Sequence, residues 1–473
     1  MAKFYLTTTL PYVNAEPHIG FALEIVQADA IARYRRLMKD DVFFNFGTDE
    51  HGQKIWQMAE KAGESPQAYA DRYAATFDAL KESLNLSYDT FIRTTSPAHK
   101  AAAQEFWKRC AAAGDIYKKA YQIKYCVGCE LEKTDSELVD GKCPLHPNIE
   151  IQIIDEENYF FRFSKYGDAL LKLYADNPDF VVPAFRLNEI KELIASKGLL
   201  DFSISRLASK MPWGVAVPDD PTQVMYVWFD ALVNYVSTIG WPTDMPQFEK
   251  WWPVVQFAGK DQVRQQSAMW QAMLMSAGLP PSRQIMIHGF MTVDGQKISK
   301  SLGNVIAPKD VVAKYGTDAT RYFLLRHVNP FEDADVSWSK FDEWYNAGLA
   351  NGLGNLVARI MKLAEDNLDA PIATPAVNVP QEFKDAMNAY EFNKVMDIVW
   401  EKIQKLDQRI QTEEPFKVVK IDKERGKALI AEMVGDLYHI SRLLHLSMPD
   451  THEKIKDAIL ANKKPDNLFK RID

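Results

Sequence analysis

The chain has no apolar run approaching the ~18 residues that a membrane span needs, no internal repeat and no low-complexity tail. Its N-terminus offers no targeting segment, because Lys3 leads straight into the strand-like run "KFYLTTTL" without a long apolar core or a cleavage site. These absences set the expectation of a cytoplasmic protein with no membrane partner. Cysteine is scarce: Cys110, Cys126, Cys129 and Cys143 are the only four in 473 residues. In a reducing compartment a disulfide framework is not expected. Positive charge is in deficit, with 56 Lys and Arg against 64 Asp and Glu and a net charge of −8. Any nucleic-acid partner must therefore be recognised by local patches and shape rather than by bulk attraction. What is present, 47% hydrophobic and 25% charged residues, is ordinary globular composition, and the length implies several domains.

From Lys3 to about Trp107 the pattern runs strand, helix, strand ("DVFFNFGTDEHG") and then helices, which predicts a βαβ unit with its ligand crevice at the strand ends. Phe21, Ile25, Ala28, Ile31 and Tyr34 recur at helical spacing, so His18, Ile19 and Gly20 fall in the first turn of the first helix. Backbone N–H groups point outward there, and Gly20 removes the side chain that would keep a phosphate away. The following part, to about Pro221, breaks the rhythm and reads as an insertion. Alternation resumes with strand-like "VMYVWFDALV", the segment "WPVVQFAGKD", a helix near Gln265 to Ala277 and strand-like "RQIMIHGFMTV". Beyond Glu343 helical periodicity dominates, interrupted by "LDAPIATPAVNVP", which predicts a helical bundle.

Two motifs carry chemistry. In "YCVGCELEKTDSELVDGKCPLH", Cys126 and Cys129 flank Gly128, and Cys143 and His146 form a second pair across a hairpin-length spacer. Three thiolates and one imidazole suit one tetrahedral zinc ion, with a closed shell and hence a structural role. Cys110 fits neither pair and reads as a packed or free thiol. In "DGQKISKSLGNVI", Gly295 permits a tight turn, and Lys297 and Lys300 with Ser299 and Ser301 offer ammonium and hydroxyl donors to a polyphosphate. A lysine- and serine-rich loop alone is more often a solvated surface; beside His18 on a helix N-terminus it becomes informative.

"PHIGF" and "KISKS" resemble the two signatures of class I aminoacyl-tRNA synthetases. With "TLPYVNAEPHIG", "GTDEHG", the cysteine cluster, "YVWFDAL", "FAGKD", "HGFMTVDGQKISKSLGN" and "NLVAR" in that order, the chain resembles the methionyl-tRNA synthetase family along essentially its whole length. The resemblance implies a Rossmann-type α/β catalytic domain in two halves (1–115 and 222–285) around a zinc-binding insertion (116–221). A stem-contact region with the KISKS loop (286–345) and an all-α anticodon-binding bundle (346–473) follow. It implies ATP-dependent activation of L-methionine to methionyl-adenylate and transfer to initiator and elongator tRNA(Met), with Mg2+ accompanying ATP. His18, Lys297 and Lys300 would be catalytic; Gly20, Glu24, Gly259, Asp261 and Lys300 would bind ATP. Asp49 would pair with the substrate ammonium, while Leu10, Tyr12, Trp228, Ala231, Tyr235 and Gln266 would shape the methionine pocket. Asn355, Arg359 and Phe416 would read the anticodon.

The chain departs from the usual pattern of that family at several positions. Phe21 replaces a second histidine in the first signature, which removes a phosphate donor and places more demand on His18 and the lysines. Leu232, Gln262 and Gln266 stand where the best-known members have proline, isoleucine and histidine. Phe416 replaces a tryptophan but keeps an aromatic face for stacking a base. No appended dimerising domain follows, so a monomer is expected. Two other readings compete: a small-molecule nucleotidylyltransferase, which would need neither a zinc knuckle nor a terminal bundle, and a catalytically silent tRNA- or protein-binding relative, which would not keep His18, Lys297 and Lys300.

Overall fold

The computed structural model describes residues 2–133, 135–298, 303–376 and 378–472. They divide into two compact units, Met1–Glu16, Asp40–Ala79 and Tyr88–Ile287 in one, and Pro17–Lys39, Leu80–Ser87 and His288–Asp473 in the other.

The first unit is built on a six-stranded sheet in the order Thr90–Arg93, Asp41–Thr48, Lys3–Thr7, Val254–Gly259, Gln284–His288 and Val181–Val182. Lys3–Thr7 pairs in parallel with both of its neighbours, Tyr5 lying opposite Phe43 on one side and Val254 on the other. Every residue of Val254–Gly259 is buried, as expected of a central parallel strand covered on both faces. Phe106 stacks on Trp270 with ring centroids 5.5 Å apart and meets Trp241 and Phe229 edge-on, which makes an aromatic centre for the core.

Two features of this sheet differ from the sequence reading. Its edge strand, Val181–Val182, comes from inside the insertion and pairs in parallel with Gln284–His288. The strand-like run "VMYVWFDALV" is a strand only to Met225; Val227–Ala231 is helical. Valine and aromatic residues favour strands only where cross-strand neighbours await them, whereas here Asp230 is turned inward to buried histidine partners. The rest of the insertion carries antiparallel sheets. The longest ladder joins Ile116–Cys126 to Gln152–Phe161, from Ile116 opposite Phe161 to Tyr125 opposite Gln152.

The second unit contains the first helix, Ile19–Leu37, with His18 as its N-cap residue. Asp29 on this helix accepts from Arg33 Nε at 2.7 Å, Arg321 Nη2 at 2.7 Å and both the N–H and hydroxyl of Ser87 at 2.6 Å. Arg321 is fully buried and also donates to the carbonyls of Leu84, Leu446 and Ser447 at 3.0, 2.9 and 2.8 Å. One guanidinium thus joins the first helix, the 80–87 segment and the turn between the last long helices. Those helices, Asn355–Asn367, Phe392–Glu413, Lys423–Leu444 and Pro449–Ala461, form the expected bundle. In Phe392–Glu413 the buried stripe Val395, Val399, Ile403, Leu406 and Ile410 follows the 3.6-residue period. Among the described residues no helix is long and apolar enough to cross a membrane.

Candidate functional site

At Gly128 an added Cβ would lie 2.5 Å from the His146 ring, so glycine is what lets the imidazole approach the cysteines. Cys126, Cys129, Cys143 and His146 bring four ligand atoms within 4.8 Å of one another. Cys129 Sγ lies 3.4 Å from Cys143 Sγ and 3.1 Å from His146 Nδ1, and Cys126 Sγ lies 3.9 Å from that nitrogen. Sulfur and nitrogen ligands of one tetrahedral ion stand about 3.5 to 3.8 Å apart, so these residues could hold a metal ion. Cys110 lies elsewhere, buried and unoxidised, its thiol pushed up to about 12 by burial.

Of the residues expected to hold methionine, Leu10, Tyr12 and Asp49 lie at the carboxyl ends of the central strands, as do Gly259 and Asp261, which are expected to bind ATP. Leu10 and Tyr12 follow Lys3–Thr7, Asp49 directly follows Asp41–Thr48, and Gly259 ends Val254–Gly259 with Asp261 in the turn beyond. A parallel sheet opens its ligand crevice at these ends. Tyr12 and Asp49 form a parallel bridge, in which Asp49 N donates to Pro11 O at 3.0 Å and Val13 N donates to Asp49 O at 3.2 Å. Asp49 Oδ1 is buried without a hydrogen-bond partner. Burial, reinforced by the neighbouring Asp230 carboxylate, pushes the Asp49 carboxyl well above the usual range. A carboxyl in that state lacks a cation.

Asp230 has the side-chain partners that Asp49 Oδ1 lacks. His51 Nδ1 lies 2.6 Å from one of its oxygens and His99 Nε2 lies 2.8 Å from the other, while His99 Nδ1 lies 3.0 Å from Ser237 Oγ. Burial opposes its ionisation, and the two imidazoles overcome that and hold its carboxyl below the usual range. This clamp links the turn bearing Asp49, helix Pro97–Ala112, helix Val227–Ala231 with Trp228 and Ala231, and helix Asn234–Ser237 with Tyr235. Gln266 Nε2 donates to the Tyr235 hydroxyl at 2.9 Å, and Gln256 Nε2 donates to Gln266 Oε1 at 2.8 Å. Gln266 belongs to a π-helical turn, Gln265–Met269, a distortion frequent at functional sites.

The second unit holds the expected nucleotide residues His18, Gly20, Glu24 and Lys297. The backbone N–H groups of Phe21 and Ala22 close on His18 O, and Ile19 N donates to Ile306 O at 2.8 Å. A Cβ on Gly20 would come within 3.2 Å of the His18 ring, so Gly20 also frees the imidazole's position. His18 is exposed, and desolvation by the protein around its ring lowers its pKa. Lys297 is exposed at the end of the hairpin of Met291–Val293 with Gln296–Lys297, turned at Asp294 and Gly295, which have φ of 51° and 72°. Lys300, with Ser299 and Ser301, lies outside the described residues. Asn355 and Arg359 are four apart on helix Asn355–Asn367, where Arg359 pairs with Asp407; Phe416, 40% exposed, is on the separate short helix Pro415–Ile421.

The family model described as tRNA synthetases class I (M) matches residues 4–151 and 148–361. The methionine–tRNA ligase of Thermotoga maritima is 40% identical over 481 residues, covering 98% of this chain and 76% of that one. The chain belongs to the class I methionine–tRNA ligases. The ligase of Thermosynechococcus vestitus is 50% identical over 375 residues, covering 78% of this chain and 70% of that one. Among solved structures, the Mycobacterium tuberculosis methionyl-tRNA synthetase in complex with methionyl-adenylate matches with a TM-score of 0.90 at 37% identity, over 97% of this chain and 94% of that one.

Set against this ligase family, the sequence reading passed over two groups near the methionine residues. One is the His51, Asp230 and His99 clamp, although "GTDEHG" and "YVWFDAL" each displayed a member. The other is Glu130, next to Cys129, whose Oε1 accepts from Tyr12 OH at 3.2 Å and from Lys54 N at 2.7 Å. It links the cysteine and histidine cluster to Tyr12. The acidic residue after the second cysteine was the available signal.

Proposed function

We propose that the chain activates L-methionine with ATP to methionyl-adenylate and transfers the methionyl group to the terminal ribose of initiator and elongator tRNA(Met), acting as a cytoplasmic monomer. The observation that carries the reading of the site is the unpartnered Asp49 carboxyl oxygen, buried at the strand ends beside Tyr12. A methionine α-ammonium supplies the positive charge that this oxygen lacks. Leu10, Tyr12, Trp228, Ala231 and Tyr235 surround the thioether, whose sulfur gains from contact with aromatic rings. Gln266, which donates to the Tyr235 hydroxyl, sets the direction of that phenol's own proton.

In the activation step the methionine carboxylate oxygen bonds to the α-phosphorus while the bond to pyrophosphate breaks. No side-chain nucleophile is needed, and catalysis rests on position and charge. His18 donates to a phosphate oxygen, Gly20 opens the helix start, and Lys297 and Lys300 meet the charge of the leaving pyrophosphate. Glu24 borders the adenine, and Gly259 and Asp261 hold the ribose. Mg2+ bound with ATP shares the phosphate charge. The three thiolates and one imidazole at 126, 129, 143 and 146 suit zinc with a closed shell, which supports the fold rather than the reaction. Asn355, Arg359 and Phe416 read the anticodon from the bundle at 346–473, beyond the catalytic halves at 1–115 and 222–285, the insertion at 116–221 and the stem-contact region at 286–345.

Amino-acid-dependent exchange of pyrophosphate into ATP tests this directly. Methionine should support exchange, and leucine, isoleucine and cysteine should not. Exchange that does not depend on methionine would overturn the reading.

A further inference from the structure

Glu24, on helix Ile19–Leu37, is buried, and its Oε2 lies 2.8 Å from His288 Nε2. On the other side of the same ring, His288 Nδ1 lies 2.7 Å from the carbonyl oxygen of Gly289. A carbonyl oxygen only accepts, so Nδ1 carries a hydrogen. With Glu24 ionised, its carboxylate oxygen also only accepts, so Nε2 then carries one too and the ring is an imidazolium that donates from both edges.

The place of this pair in the chain gives it a role. From His288 the backbone passes through the hairpin of Met291–Val293 and Gln296–Lys297 into the lysine loop. Beyond the loop the chain returns to the same helix, where Ile306 O accepts from Ile19 N at 2.8 Å. Ile298 Cδ1, on the near flank, stands 3.7 Å from where a Gly20 side chain would begin. The first turns of this helix thus lie against both ends of the lysine loop, and Glu24 with His288 is a hydrogen-bonded point of that contact.

We propose that His288 is a positioning residue for the ATP half of the reaction, holding the Glu24 carboxylate and fixing the first signature against the base of the KISKS loop. The proposal rests on the reading of Glu24 and the loop as ATP-binding elements. A doubly donating ring suits this work because one edge holds the Glu24 oxygen while the other pins the ring to the backbone.

Exchange kinetics with His288→Ala and His288→Gln, varying ATP and methionine separately, test it. His288→Ala should raise the KM for ATP about tenfold or more and slow single-turnover adenylate formation, as the loss of a charged hydrogen bond does, while the KM for methionine stays unchanged. His288→Gln, whose amide N–H still reaches toward Glu24, should recover most of the ATP affinity. An unchanged KM for ATP, or equal rises for both substrates, would overturn the proposal. If His288→Ala does not fold, nitrogen NMR of the histidine-labelled unaltered chain decides: the resonances absent from His288→Gln should report two protonated ring nitrogens near neutral pH, and a bare nitrogen would overturn the assignment. An unaltered chain with no methionine-dependent exchange would overturn the ligase reading as well, an outcome distinct from an active chain indifferent to His288→Ala.

Discussion

Asp49 bears a conflict that its ligand resolves. Because burial and Asp230 raise its carboxyl in the folded chain, the folded state keeps the proton longer than the unfolded one. Stability without methionine is therefore undiminished below the ordinary carboxylate pKa of 3.8 and falls as the pH rises from there through the raised folded-state value. Asp49→Asn removes that decline. It should raise the melting temperature of the methionine-free protein at neutral pH and weaken methionine binding about tenfold or more, because a charged partner is lost. Thermal melts across pH, with and without methionine, check both effects, and a variant that melts lower at neutral pH would contradict them. Gly128 is a second residue whose identity follows from one close approach. With its Cβ position 2.5 Å from the His146 ring, Gly128→Ala should displace the imidazole and lower bound metal below one ion per chain by elemental analysis, with Cys126→Ala and Cys143→Ala together as the reference for loss.

At the scale of elements, the first helix is anchored by charge at its middle as well as at its start. Burial raises the Asp29 carboxyl, but the Arg321 and Arg33 guanidiniums and the Ser87 hydroxyl outweigh it and hold it at about 2. The stabilisation this represents, about 2 kcal/mol from the size of the shift, is fully present above the ordinary value of 3.8 and is lost as the pH falls toward 2. Asp29→Asn leaves the buried Arg321 charge uncompensated and should cost about 3 kcal/mol or more. Urea unfolding from neutral to acid pH should show the gap between variant and unaltered chain closing as the acid limit is approached; a constant gap would reject the pair as its source. The cysteine and histidine cluster could be read from sequence because turn glycine, candidate ligands and spacer are close neighbours in the chain. The Asp29 and Arg321 pair could not, since its members stand 292 positions apart.

For the whole molecule, the proposed division of labour makes two assays separable. If Asn355, Arg359 and Phe416 read single-stranded anticodon bases, substitutions there should impair charging of tRNA(Met) and leave pyrophosphate exchange nearly intact. Phe416→Ala should cost about 1 kcal/mol or more of tRNA recognition, the worth of one stacked base. Equal loss in both assays would point to misfolding, and no loss in charging would reject the bundle as the reader. Sequence by itself determined the βαβ start, the terminal helices, the cysteine and histidine cluster, and which side chains follow the strand ends. Each of these depends on periodicity, turn residues or ligand spacing within a few tens of residues. Only the tertiary structure decided that Val181–Val182 leaves the insertion to edge the main sheet, that Val227–Ala231 is helical, and that Asp230 is clamped by His51 and His99 from 179 and 131 positions away. It also decided that Asp49 is left with a buried, unpartnered oxygen while Asp230 is not. The physical reason is that a buried charge is settled by whatever distant segments the fold brings within hydrogen-bond reach, and local propensity carries no record of those partners.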